Sequence, residues 1–74
     1  MANHKKIAYN EQFWLYVYVD WKLSKKVVSS LKLLKFKAQI NRYKDQKTDD
    51  DEISVLVTPE NAGVAYSIIN AIIQ

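Results

Sequence analysis

The 74-residue chain has one histidine, one glycine, no cysteine and a net charge of +3, which excludes a disulfide scaffold and a thiolate metal centre. It is read as one small domain, residues 1–74, whose core alone confers marginal stability, because folding at this size buries only about 60% of the unfolded surface. No apolar run approaches the ~20 residues that cross a bilayer, and Lys5-Lys6 is followed by neither a continuous apolar stretch nor a small-residue cleavage site, so a cytoplasmic domain is expected.

Residues 1–12 are mixed and polar, and the first six read as a frayed terminus. His4 has no second histidine and no cysteine to join it, so no metal site is expected there. The Ile7-Ala8-Tyr9 stretch leaves two readings open, a short extra strand or part of a disordered tail. Phe13-Trp14-Leu15-Tyr16-Val17-Tyr18-Val19 is an unbroken apolar and aromatic run of strand length, closed by Asp20. Strand alternation gives it two unlike faces. Phe13, Leu15, Val17 and Val19 form the expected core face; Trp14, Tyr16 and Tyr18 form the other.

The period then changes. Val27, Val28, Leu31 and Leu34 recur at helical spacing, with Ala38 continuing the stripe, and Lys25, Lys26, Ser29, Lys32 and Lys35 decorate the rest. This predicts a helix over 23–35, N-capped by Ser24 or, as a second candidate, Asp20. Residues 36–43 alternate again and predict a second strand with Phe36, Ala38 and Ile40 on one face. Residues 44–52 read as a polar loop ending in Asp49-Asp50-Asp51-Glu52. Four successive acids repel each other and favour a solvated connection, and without the glycine and ligand spacing of an EF-hand loop no calcium site is expected. Residues 53–57 predict a third strand with Ile53, Val55 and Val57 inward. Thr58, Pro59 and Glu60 then give cap, first-turn and dipole signals for a helix over 59–73. Ala62, Ala65, Ile68, Ile69, Ile72 and Ile73 supply its buried stripe. Its outer face, Gly63, Tyr66, Ser67 and Asn70, carries no charge, which is unusual for a surface helix and points to cover by something else.

The order β-α-β-β-α predicts an α+β, ferredoxin-like split β-α-β. The first two strands are parallel across a right-handed crossover, the third lies antiparallel between them, and both helices cover one face. The full pattern adds a fourth strand outside the first. Without it the most hydrophobic strand is an edge, which is hazardous for a monomer, so residues 7–9, a second copy or a foreign strand is expected to pair with it.

The segments LKLLKFKAQI and ISVLVTPENAGVAYSIINAI, with Val55 to Ala65 leading into an Ala-rich final helix, resemble the short prokaryotic putative signal-transducing proteins. The likeness spans about residues 13–73. It implies a ferredoxin-like fold related to the PII regulators, a regulatory role in a prokaryote, and no catalytic set; a phage or mobile-element inhibitor of a host protein is a form of the interaction reading below. Lys35-Phe36 stand where that family has a Gly-Ile turn.

No nucleophile, base and carboxylate recur in a catalytic arrangement and there is no glycine-rich phosphate loop, so neither enzymatic activity nor a cofactor is expected. Two binding readings remain. The first is a homodimeric interaction or regulatory module using Trp14, Tyr16 and Tyr18 on the sheet and Tyr66 on the final helix. The second is nucleic-acid binding through the sheet aromatics or through Lys25, Lys26, Lys32, Lys35 and Arg42. LYVYV resembles the first-strand signature of the RNA recognition motif, whereas residues 53–57 lack the glycine and aromatics of its second. Charge is segregated: residues 22–47 hold nine basic residues against one Asp, a balance of +8, and residues 48–74 balance at −5. Such a division steers anionic partners or simply solvates a helix beside an acidic loop.

Overall fold

The computed structural model describes residues 11–42 and 48–74. His4, residues 7–9 and Tyr43, each read above from sequence, lie outside them. The described elements are β1 (Phe13–Asp20), α1 (Trp21–Leu33), β2 (Lys37–Asn41), β3 (Asp50–Val57) and α2 (Ala62–Ile73). They form an α+β domain in the order expected.

The sheet has three strands among the described residues, in the order β1-β3-β2. β3 is antiparallel to both neighbours: Tyr16 and Gln39 flank Ser54, and Val17 and Ile40 flank Ile53. Its central position explains why Ile53, Val55 and Val57 are buried. They join Val19, Ala38, Val27, Val28, Leu31, Ala65 and Ile69 in one core. Both helices therefore cover the sheet face of Phe13, Leu15 and Val17, which pack partly buried against that core.

Two local readings are corrected. Asp20, not Ser24, caps α1: its carboxylate accepts from the Lys22 amide at 2.9 Å, which lets the helix start at Trp21. Leu34 leaves the helix stripe and is exposed, because α1 stops at Leu33. Ala38, offered to both the helix stripe and the second strand, is buried from β2, as the strand reading has it. The acidic loop is also shorter than expected. Asp50, Asp51 and Glu52 belong to β3, since pairing with Asp20, Val19 and Tyr18 extends the strand into the acids.

α1 ends in a Schellman motif, with the Phe36 amide donating to the Leu31 carbonyl at 3.1 Å and the Lys35 amide to the Lys32 carbonyl at 2.9 Å. Lys35 carries φ 73°, a left-handed conformation that costs a side-chain-bearing residue about 1–2 kcal/mol. Lys35→Gly should raise the unfolding free energy by roughly 0.5–1 kcal/mol, read as a higher midpoint in urea denaturation; a lower midpoint would mean that the lysine side chain stabilises the turn. Before α2, Thr58 and Asn61 bond reciprocally. The Asn61 amide donates to Thr58 Oγ1 at 3.2 Å, and the Thr58 amide to Asn61 Oδ1 at 2.7 Å. This is capping-box logic with Asn in place of Glu.

Candidate functional site

Two surfaces stand out. The first is the sheet face turned away from the helices. Across the three strands its rows are Trp14, Leu56, Lys37; Tyr16, Ser54, Gln39; and Tyr18, Glu52, Asn41. The aromatics line the β1 edge and are 39%, 55% and 68% exposed for Trp14, Tyr16 and Tyr18. The polar side is interlinked. Tyr18 donates to Glu52 Oε2 at 3.3 Å, and Asn41 Nδ2 donates to Glu52 Oε1 at 3.1 Å and also contacts Ser54 Oγ. Gln39 Nε2 donates to Asn41 Oδ1 at 3.3 Å. The amide and carboxyl groups thus satisfy one another and hold a firm platform beside the aromatic column. Among the described residues Lys37 is its only cation.

The second surface lies at the start of α1. Asp51 is fully buried, although it belongs to the acidic run expected to be solvated. It faces the helices because it shares the phase of Ile53, Val55 and Val57. Arg42 grips it side-on, Nε to Oδ1 at 2.8 Å and Nη2 to Oδ2 at 2.8 Å. Ser24, also buried, sits with Oγ 2.6 Å from Oδ2 and 2.9 Å from the Trp21 carbonyl oxygen. Its one proton goes to the carboxylate, the stronger acceptor. Hydrogen bonds from Arg42 first, then Ser24, outweigh burial and hold the Asp51 carboxyl down at about 2. This triad ties α1 to β3 and to the residue following β2. Over it opens a shallow cleft of about 230 Å³ lined by Trp21, Lys22, Ser24, Lys25 and Arg42.

The structure therefore divides the residues singled out from sequence. Trp14, Tyr16 and Tyr18 share one column, while Tyr66 lies exposed on α2, in the opposite layer. Lys25 and Arg42 meet in the cleft; Lys26, Lys32 and Lys35 are exposed and do not line it. Sequence reading missed Asp51, Ser24, Lys22 and Trp21. One signal for Asp51 was present, since the inward alternation of β3 continues backward through it.

Among the described residues no cluster of three His, Asp or Glu side chains could hold a metal ion, and no helix is long and apolar enough to cross a membrane. No protein-family model, curated protein or solved structure matches the chain.

Proposed function

We propose that the chain is a small non-enzymatic interaction or regulatory module of the cytoplasm, built on a ferredoxin-like plan, that works as a homodimer through the open sheet face and β1. The observation that carries this reading is the exposed column of Trp14, Tyr16 and Tyr18 on a strand that is an edge among the described residues. Each aromatic buries roughly 150–250 Å² when covered, so cover stabilises a domain of this size substantially. The β1 residues from Phe13 to Val19 include no Lys, Pro or Gly, the residues that usually blunt an edge.

A two-fold antiparallel pairing about Tyr16 keeps the faces in phase, because directly opposed residues lie on the same side of a sheet. Trp14 then meets Tyr18 of the second copy, and Leu15 meets its Val17. The uncharged outer face of α2 with Tyr66 offers a further contact for a regulatory partner, as the family resemblance suggests. A protein partner suits the sheet face better than a nucleic acid, since Lys37 is its lone described cation and phosphate contacts dominate nucleic-acid affinity.

Sedimentation equilibrium tests the proposal. The wild type should associate, and Tyr16→Glu combined with Tyr18→Lys should return it to a folded monomer. A wild type that is monomeric at about 0.5 mM overturns it, because any association is then worth less than about 4.5 kcal/mol.

A further inference from the structure

We propose that the cleft at the start of α1 binds a nucleotide phosphate, with the phosphoryl group on Arg42, Lys22 and Lys25 and the base against Trp21. The site shares no residue with the sheet face, so either proposal can fail without the other. Three cations and one indole line a single cleft, and the only carboxylate bonded to any of those cationic side chains among the described residues is Asp51. The lining side chains carry three positive charges and no carboxylate, so the attraction is a short-range one for a group bonded directly to them. The acids Asp20, Asp49 and Asp50 at the same end of the sheet offset it at longer distance.

Arg42 is pre-positioned for an anion. Its side chain is 61% exposed, yet Nε and Nη2 are clamped by a buried carboxylate. A guanidinium has five N–H donors, and those Asp51 leaves over are held in fixed directions at the cleft instead of sweeping through solvent. An exposed flexible arginine gains little from an ion pair; one fixed by a buried partner loses less entropy on gripping a phosphate.

Trp21 explains why the ligand is more than inorganic phosphate. Its ring is half exposed beside the cations, and an indole offers a stacking face to any base. The volume supports a single unit: about 230 Å³ is below the roughly 300–1,000 Å³ of pockets that engulf a drug-sized ligand. One phosphate and one ring fit that scale. The unit can come from a free mononucleotide or from single-stranded nucleic acid.

The test is a titration of the ¹⁵N-labelled full chain with adenosine monophosphate, adenosine, inorganic phosphate and a short single-stranded adenine oligonucleotide. The monophosphate should move the Trp21 indole and Arg42 Nε–H resonances and bind about tenfold or more tighter than phosphate or adenosine alone. Lys22→Gln with Lys25→Gln, both exposed positions, should keep the native spectrum and weaken binding by about tenfold. An oligonucleotide tighter than the monophosphate identifies nucleic acid as the source; equal or weaker binding identifies the mononucleotide. The proposal is overturned if neither resonance moves at about 5 mM monophosphate or oligonucleotide. It is equally overturned if phosphate binds as well as the nucleotide, or if the double variant binds unchanged.

Discussion

Leu31→Ala should lower the unfolding free energy by about 2–5 kcal/mol. Leu31 is fully buried where α1 meets the sheet and α2, beside Val27, Ile53, Val55 and Ile69. Truncation removes its apolar area from the core and leaves a cavity whose walls belong to both helices and the central strand, so little can collapse to fill it. The Leu31 carbonyl, which accepts from the amides of Leu34 and Phe36, is untouched by the change, so the loss is one of packing. A domain of this size has only roughly 4–11 kcal/mol to lose, and the variant should unfold at markedly lower urea. Leu33, 80% exposed two residues on, is the control: Leu33→Ala should move the midpoint by less than about 0.5 kcal/mol. Both are measured by circular dichroism at one protein concentration, because dimerisation would make stability concentration-dependent. Equal midpoints for the two variants would place the core elsewhere.

The Arg42–Asp51 pair should respond unequally to losing one partner or the other. Arg42→Ala leaves a fully buried carboxylate with Ser24 as its remaining donor, and an uncompensated buried charge is strongly destabilising. Asp51→Asn removes the buried charge and frees a guanidinium whose side chain is already 61% exposed, so water replaces the lost partner. Arg42→Ala should therefore have the lower urea midpoint of the two at neutral pH.

Acid separates them further. Asp51 titrates at about 2 in the folded protein against an ordinary 3.8. A depressed carboxylate pKa gives stability that is complete above the unfolded value and lost as pH falls through the folded one. Asp51's share is thus full above about pH 4 and disappears toward pH 2. Asp51→Asn should remove that component of the acid limb. In Arg42→Ala the Ser24 hydrogen bond still outweighs burial, so the carboxyl stays lowered by less than in the wild type and the acid-limb component shrinks without vanishing. Parallel acid limbs for wild type and Asp51→Asn would mean that the carboxylate is not paired in solution.

Much of this fold was legible from periodicity. The run ending at Val19, the helical spacing of Val27, Val28 and Leu31, and the alternation through Ile53, Val55 and Val57 each follow from local backbone geometry, which repeats every two or 3.6 residues wherever one face is buried. The aromatic column of Trp14, Tyr16 and Tyr18 was legible for the same reason. The ends of elements were not. The helix expected from Pro59 instead begins at Ala62, after a turn over residues 59–61. Whether Asp20 or Ser24 caps α1 depends on which chain neighbours each finds, and Ser24 finds Asp51, distant in sequence. The acids at 50–52 carry a strong local preference for solvent, which pairing with β1 and a grip from Arg42 overrule. The cleft, too, exists only in three dimensions. Trp21, Lys22 and Lys25 from one helix meet Arg42 from beyond the next strand, because β3 lies between β1 and β2 and brings their ends to one side of the sheet. Sequence alone determined which residues share a face of one element. Only the tertiary structure decided which elements lend their charges to one another, because a buried charge is tolerated only where a partner from elsewhere in the chain arrives to meet it.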